Sequence, residues 1–207
     1  MINYRLVYFN ARGRAEVIRY ILAYADQKYE DFRVNESDWQ VYKSKTLFGK
    51  LPVLEISDGS ATVQLAQSLA IARFLAAQYG LVGTTELEKA RADMIGEQLA
   101  DVLNMYNLVR FETNPELKAK NESLFFRETL PYYASLFEKM FEAQKTTFVA
   151  ADILTWADFA FAAFWDLIGD KKDPIFETCE ICKTMVSKVE NLPQIKEWKR
   201  TRPETLL

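Results

Sequence analysis

Strand-type patterns are confined to the first 80 residues of this 207-residue chain, and that distribution limits its fold more than any other feature. Residues 4–9 and 29–34 are apolar, β-branched or aromatic runs typical of strands. Between them, apolar residues recur at i, i+3, i+4 and i+7 from Ile18, which predicts an amphipathic helix. The chain therefore begins with a β-α-β unit.

A second strand pair follows an irregular stretch around Trp39. Residues 52–56 and 61–65 flank the dipeptide Asp58-Gly59, a combination that predicts a hairpin. A helix is predicted to start at Gln67-Ser68. The first 79 residues thus read as β-α-β followed by β-β-α.

Beyond Gly80 only helical spacing remains. We therefore expect an α/β domain at 1–79, a linker at 79–84 and an all-helical domain at 85–207. The pattern Thr155-Trp156-Ala157-Asp158 is a capping box, which assigns Asp158 a structural role. Helices are predicted at 87–110, 123–143, 155–167, 179–189 and 193–202.

The composition excludes several classes of partner. A net charge of −3 argues against binding nucleic acid, which requires a concentrated basic surface. The longest apolar stretch of the later helices, 159–165, is far shorter than the roughly 20 residues of a membrane span. Arginines and a glutamate interrupt residues 5–19, so no signal peptide is expected. With two cysteines only, we expect a cytoplasmic protein.

The chain contains no histidine, which removes histidine bases, histidine metal ligands and the Ser-His-Asp triad. Its cysteines form Cys179-x-x-Cys182, but they lie in a predicted late helix rather than at the helix start after the first strand. Buried free thiols are the favoured interpretation. Any nucleophile must therefore come from another side chain or from a ligand.

Seven stretches, in order, resemble the cytosolic glutathione S-transferases, and in particular the sigma class, which includes glutathione-dependent prostaglandin D synthases. The resemblance runs the length of the chain and implies a thioredoxin-like first domain followed by an all-helical one. The stretches are YFNARGRAE (8–16), DW (38–39), Lys43, FGKLPVLE (48–55), QSLAIARFLA (67–76), LTWADF (154–159) and WKRTRPETLL (198–207).

The resemblance implies that glutathione binds to the first domain and supplies the nucleophilic sulfur. A free thiol has a pKa of about 8.5, so few molecules are thiolate at neutral pH. Tyr8, at the end of the first strand, would donate its hydroxyl hydrogen to the sulfur and favour the thiolate. Arg14 and the adjoining helix N-terminus would add positive charge. No metal or other cofactor is expected, since glutathione is a cosubstrate.

The family pattern also assigns the contacts of glutathione. Trp39 and Lys43 would hold its glycine carboxylate, with Gly49 and Lys50 leading to a cis Leu51-Pro52 bond. The Leu51 backbone would pair with the cysteinyl part. The γ-glutamyl carboxylate would lie at the helix start formed by Gln67 and Ser68. The alternative for Lys43 and Lys50 is that they are ordinary surface lysines.

In the sigma class an acid of the partner subunit reaches the γ-glutamyl amine, and Asp101 matches that position. This implies a homodimer; the alternative is a solvated helix acid. The vertebrate prostaglandin synthases carry three acids nearby, associated with a divalent cation, whereas this chain has Glu97, Ala100 and Asp101. No metal site is therefore expected.

The electrophile pocket would include Phe9, Tyr106 and Leu108. The prostaglandin synthases carry a tryptophan at the position of Leu108, so the pocket shape differs, and Leu206 and Leu207 would also contribute to it. We expect conjugation of glutathione to small apolar electrophiles. The alternatives are isomerisation of prostaglandin H2 to D2, a carrier of hydrophobic ligands, and a crystallin without activity. Arg12 would touch the interface or brace the helix.

Overall fold

A four-stranded mixed sheet lies at the centre of the first of two structural units. A computed structural model describes residues 2–205, and the first unit extends to Val82 and also includes the segment from Asn191 onward. The strand order is β2-β1-β3-β4, with β1 parallel to β2 and antiparallel to β3. The elements are β1 (Asn3–Phe9), α1 (Glu16–Tyr24), β2 (Glu30–Val34), α2 (Trp39–Lys43), β3 (Val53–Ser57), β4 (Thr62–Ala66), α3 (Ser68–Gln78) and α10 (Pro193–Thr201).

The two faces of the sheet have different helical neighbours. Val7 and Val53 belong to a buried cluster that Tyr42 of α2 packs against. Leu6 and Leu54 point to the opposite face, because strand side chains alternate. Both are fully buried, as are the inward residues of α1 and α3, which pack against each other. The β-α-β, β-β-α order predicted from the sequence is confirmed.

The stretch around Trp39 is more regular than expected. A 3-10 turn at Glu36–Asp38 leads directly into the one-and-a-half turns of α2. With five residues, this helix is too short for a 3.6-residue periodicity to be recognised in the sequence. It places Trp39 at its start and Lys43 at its end.

The late helix α10 belongs to the first unit because it supplies partners for a buried carboxylate. Glu16 is 1% exposed, and its Oε1 accepts hydrogen bonds from Trp198 Nε1 at 2.7 Å and from Arg202 Nη1 at 2.8 Å. Ile195 of the same helix is fully buried. By its contacts the segment from Asn191 therefore groups with the sheet, whereas the sequence places it in the helical domain.

The second unit, Gly83–Glu190, is all-helical. Among residues 2–205, none of the helices is both long and apolar enough to cross a membrane. The helices are α4 (Glu86–Arg110), α5 (Pro115–Leu124), α6 (Leu130–Gln144), α7 (Trp156–Ile168), α8 (Asp173–Phe176) and α9 (Glu180–Glu190).

The predicted helix at 123–143 is wrong at its start. A π-helical turn at Phe125–Thr129 separates α5 from α6, and α5 itself was not predicted. The sequence signal for α5 is a helix cap rather than a periodic spacing of apolar residues. The Asn114 side chain accepts hydrogen bonds from two backbone N–H groups, and Pro115 occupies the first turn. Because α5 buries no residue fully, hydrophobic spacing could not reveal it.

The capping box of α7 has the expected geometry. Asp158 Oδ2 accepts the Thr155 N–H at 2.7 Å and its hydroxyl at 2.8 Å. The other oxygen, Oδ1, accepts the Val149 N–H at 2.8 Å, so the carboxylate also fixes the preceding loop. The structural role predicted for Asp158 is therefore confirmed.

Asp158 is expected to make stability depend on pH. Burial raises its pKa to about 6, although its hydrogen bonds oppose the rise, whereas an unfolded aspartate has a pKa of about 3.9. Between these values the folded chain holds a proton that the unfolded chain has lost. Raising the pH from 4 to 6 therefore removes about 2–3 kcal/mol of the contribution of Asp158 to the free energy of unfolding. In urea unfolding, the wild-type free energy of unfolding minus that of Asp158→Asn should fall over this range; a constant difference contradicts the assignment.

Candidate functional site

Three segments that the resemblance assigns to glutathione meet at one edge of the sheet. In the strand register Val7 pairs with Val53, and Val53 pairs with Ala66. The next residues along these strands, Tyr8, Pro52 and Gln67, therefore lie at the same edge. The Leu51-Pro52 peptide bond is cis, as the resemblance implied.

Tyr8 is 9% exposed, and its hydroxyl is already engaged on one side. The oxygen accepts the backbone N–H of Arg14 at 3.1 Å. Because this bond uses an oxygen lone pair, the hydroxyl hydrogen stays available for an acceptor such as a sulfur anion. The structure thus places Tyr8 and Arg14 together at the start of α1.

Gly13 makes this bond possible. Its φ is +41°, and a Cβ at this position would lie 2.6 Å from the Tyr8 hydroxyl oxygen. Any other residue would combine a strained backbone with a clash against the phenol. The glycine between Arg12 and Arg14 is therefore the residue that lets the tyrosine approach the turn.

Arg19 holds the turn from the buried side. It is fully buried; its Nη1 donates to the Ala11 carbonyl at 2.7 Å and to Glu16 at 3.0 Å, while Nε donates to Asp31 at 3.1 Å. Its guanidinium carbon lies 5.9 Å from the centre of the Tyr8 ring. A charge buried with this many partners fixes geometry, since breaking such a cluster costs about 3–5 kcal/mol.

The residues predicted to hold the glycine end of glutathione lie on α2 and in the loop that follows it. The rings of Tyr8 and Phe9 lie 5.7 Å apart, and those of Phe9 and Trp39 5.2 Å apart, both edge to face. The side chain of Lys43 is 3.6 Å from the position that a Cβ on Gly49 would take. Lys50 follows in the same loop and is exposed. Trp39 is therefore linked to Tyr8 through the Phe9 ring, and Lys43 lies beside Gly49 in the loop before Pro52.

Gln67 and Ser68 provide the start of α3. Gln67 has φ +73°, a conformation that a residue with a side chain adopts at an energetic cost. Such strain occurs preferentially at ligand sites. The first N–H groups of a helix have no intrahelical partner, and the Gln67 side chain does not cap them. This helix start is therefore suited to a carboxylate.

Three predicted site residues lie on α4, in the second unit. Asp101 and Leu108 are exposed, with 77% of Leu108 accessible, whereas Tyr106 is stacked on Phe125 at 5.2 Å. Positions two residues apart on a helix point about 200° from each other. Tyr106 and Leu108 therefore face different sides of α4. The positions of Leu206 and Leu207 lie outside the described residues.

The CxxC pair does not have the environment of a redox centre. Cys179 and Cys182 are both buried free thiols. Burial raises the pKa of each thiol, and the proximity of Glu138 raises it further. Thiols held protonated are poor nucleophiles. Across residues 2–205 no group of three or more metal-ligating side chains is present either.

Sequence reasoning missed the residues that support the turn. These residues are Gly13, Glu16 and Arg19, which lie within or just after residues 8–16. Only Gly13 is recognisable from the sequence, because a glycine between two arginines at the start of a helix indicates a turn. Glu16 and Arg19 are charged and lie outside the apolar spacing that starts at Ile18, so the sequence gives no signal that they are buried. The partners of the Glu16 carboxylate include Trp198 and Arg202, more than 180 positions away.

Family models match both parts of the chain. The glutathione S-transferase N-terminal domain matches residues 5–77, and the C-terminal domain matches residues 100–202. Among curated proteins, rat hematopoietic prostaglandin D synthase is 36% identical over 100% of both chains. Probable glutathione S-transferase 5 of Caenorhabditis elegans is 37% identical over 99% of both.

Solved structures agree with these relatives. Rat hPGDS complexed with a quinoline has a TM-score of 0.89 at 35% identity, covering 99% of this chain and 100% of that one. The monomeric Na-GST-3 of the hookworm Necator americanus has a TM-score of 0.81 at 34% identity, covering 99% and 100%. The sheet edge, the tyrosine at the turn and the two matched domains lead to one conclusion: the chain belongs to the glutathione S-transferase family and is a glutathione transferase.

Proposed function

We propose that the chain is a sigma-class transferase that conjugates glutathione to small apolar electrophiles, a detoxification reaction in the cytoplasm. The observation that carries the proposal is the Tyr8 hydroxyl, which accepts the Arg14 N–H and keeps its hydrogen for the sulfur. Each unit by which the thiol pKa falls corresponds to about 1.36 kcal/mol in favour of the thiolate. Arg14 adds positive charge at the same turn.

The rest of the tripeptide is proposed to bind along the sheet edge. Trp39 and Lys43 take its glycine carboxylate, the Leu51 backbone pairs with its cysteinyl amide, and the start of α3 takes the γ-glutamyl carboxylate. Phe9 borders the electrophile. These groups bind and activate the thiol without a metal or nucleotide, so glutathione is the cosubstrate.

Retention on immobilised glutathione, followed by turnover across a panel of electrophiles, tests this function. We expect specific elution with free glutathione and conjugation of a chloro-aromatic acceptor, because the site residues act on the thiol whatever the acceptor. Retention without turnover of any acceptor would instead favour a carrier of hydrophobic ligands. The absence of both retention and turnover would contradict the proposal.

Prostaglandin H2 isomerisation is the second candidate function. It is favoured by the similarity, at 36% identity over the full length, to the rat hematopoietic prostaglandin D synthase. Against it, the exposed Leu108 is too small to shape a pocket as the tryptophan of those enzymes does. Assaying prostaglandin H2 beside the chloro-aromatic acceptor separates the two activities.

The enzyme is further proposed to act as a homodimer. In the second unit, an apolar groove of about 150 Å³ lies between α4 and α6, and Met94 and Leu136 on its walls are 50% and 42% exposed. Exposed apolar patches of this kind are typical of protein interfaces. Asp101, exposed on α4, would then be available to a glutathione molecule bound to the partner.

Charge in the groove is expected to dissociate the dimer. Leu136→Glu introduces a carboxylate whose desolvation in an apolar interface is costly, so the variant should sediment as a monomer. Leu117→Glu is the matched control, since Leu117 is similarly exposed, at 48%, but lies on α5. It should leave the sedimentation coefficient of the dimer unchanged. Equal behaviour of both variants contradicts the proposed interface.

A further inference from the structure

The carboxylate of Glu16 links the start of α1 to α10. It follows Arg14 by two residues and is 1% exposed, so water has little access to its oxygens. Its Oε2 accepts a hydrogen bond from Arg19 Nη1 at 3.0 Å. Its Oε1 accepts one from Trp198 Nε1 at 2.7 Å and one from Arg202 Nη1 at 2.8 Å. Because the group is buried, losing one of these donors is costly.

Arg19 extends this link to the turn before α1. The nitrogen that donates to Glu16 also donates to the Ala11 carbonyl, at 2.7 Å. At the other end of the turn, the Arg14 N–H donates to the Tyr8 hydroxyl at 3.1 Å. The turn is thus fixed between the buried guanidinium and the phenol. A displacement of the Glu16 carboxylate would move Arg19, and with it the backbone that positions the phenol.

The charge of Glu16 also affects a thiolate bound at the turn. A carboxylate near a second anion disfavours that anion and raises the pKa of a neighbouring thiol. The charged groups that contact Glu16 include Arg19 on its own helix and Arg202 after α10, and Asp31 of β2 pairs with Arg19 as well. Loss of a donor leaves more of the carboxylate charge uncompensated at the start of α1. Charge and displacement therefore act in the same direction, toward a higher pKa of the thiol.

Trp198 is suited to fix this carboxylate without adding a charge. An indole N–H is a donor only, and at 2.7 Å from an ionised oxygen it makes a short, charge-assisted bond. The helix has other contacts that hold it in place, because Ile195, about one turn earlier, is fully buried and α10 packs on α1. Removing the N–H therefore changes the environment of Glu16 while α10 stays docked.

We propose that Trp198 is a positioning residue for catalysis: its N–H holds Glu16 and, through Arg19 and the turn, keeps the Tyr8 hydroxyl in the geometry that favours the thiolate. This role of Trp198 rests on the proposed role of Tyr8 in activating glutathione. Trp198 acts through other residues rather than on the thiol itself. The start of the stretch 198–207, which none of the proposed glutathione contacts uses, thereby acquires a function.

Trp198→Phe tests this role, because phenylalanine keeps an aromatic ring at the position and lacks the N–H. The pKa of glutathione bound to this variant, read from the ultraviolet absorbance of the thiolate, should rise by about 0.3–1 unit. Below that pKa, kcat/KM should fall about two- to tenfold, since the thiolate fraction falls by the same factor. At high pH the variant should approach the wild-type rate, because the thiol is then ionised in both proteins.

Ile195→Val and Trp165→Phe are the matched controls. The first removes a methylene from the packing of the same helix and leaves the Trp198 N–H in place. The second makes the same chemical change at a buried indole of α7 whose Nε1, within residues 2–205, has no hydrogen-bond partner. Both should lower the free energy of unfolding in urea and leave the pKa of the bound thiol unchanged. Circular dichroism verifies that every variant folds.

Tyr8→Phe, measured beside these variants, separates the two proposals. A raised thiol pKa in Tyr8→Phe together with a wild-type value in Trp198→Phe overturns the positioning role alone. Wild-type values in both variants contradict activation by Tyr8, and the positioning role fails with it. A shift in either control as large as that in Trp198→Phe also overturns the positioning role, since loosened packing or the loss of a ring then accounts for it.

Discussion

Tyr8→Phe is expected to lower the rate of glutathione conjugation by one to two orders of magnitude while leaving the affinity for glutathione nearly intact. The phenol supplies one hydrogen-bond donor to the sulfur, and removing one donor to an anion of the reaction lowers the rate by about this factor. The pKa of the bound thiol should rise by about one to two units, since the thiolate loses its hydrogen bond. The pH dependence of kcat/KM and the ultraviolet absorbance of the bound thiolate measure the shift.

Tyr4→Phe provides the control for Tyr8→Phe. Tyr4 lies on the same strand and is similarly buried, but it lies away from the turn. Its replacement by Phe also removes one hydrogen bond, which the Tyr4 hydroxyl donates to Gln78 at 2.9 Å. It should alter stability without moving the pH profile. Unchanged turnover in Tyr8→Phe would remove the basis of the proposed mechanism.

Gly96→Ala is expected to destabilise the helical unit by about 3 kcal/mol or more. A Cβ on Gly96 would lie 2.1 Å from the tip of the Trp156 ring, which is 1% exposed. Helix propensity predicts the opposite sign, since alanine is better than glycine in a helix by about 0.5–1 kcal/mol. The overlap outweighs this gain because the buried indole has no free space. Urea unfolding followed by circular dichroism measures the result.

A second substitution distinguishes steric overlap from any other effect at this position. Trp156→Phe shortens the ring and leaves a cavity, so alone it should also destabilise. Combined with Gly96→Ala, the methyl group enters the vacated space, and the double variant should be more stable than the sum of the two changes implies. Additive losses would show that the two residues are not in steric conflict.

The fold was predictable from local patterns wherever an element buries a full apolar face. Apolar residues recur about every 2 positions in the strands and every 3.6 positions in the helices, so the bounds of these elements were predicted within a few residues. Elements without such a face were not recognised. These elements are the short α2 and the solvent-exposed α5, which depend on capping and chain geometry. The π-helical turn at Phe125–Thr129 was also missed, because the helical spacing of apolar residues continues through it.

The site was predictable where it consists of contiguous motifs. Tyr8, Pro52 and Gln67 could be placed because each adjoins a strand end, and the register brings the three to one edge. The buried carboxylate of Glu16 could not be predicted, because Trp198 and Arg202, which donate hydrogen bonds to it, lie more than 180 residues further along the chain.

That pairing has a consequence for biosynthesis. Glu16 emerges from the ribosome early, but its partner Arg202 follows 186 residues later. At about 5–20 residues per second, the delay is roughly 10–40 s. Meanwhile the entire inserted unit, Gly83–Glu190, is synthesised and free to fold. The first unit, whose sheet is synthesised first, is therefore completed last, after the helical unit inserted within it.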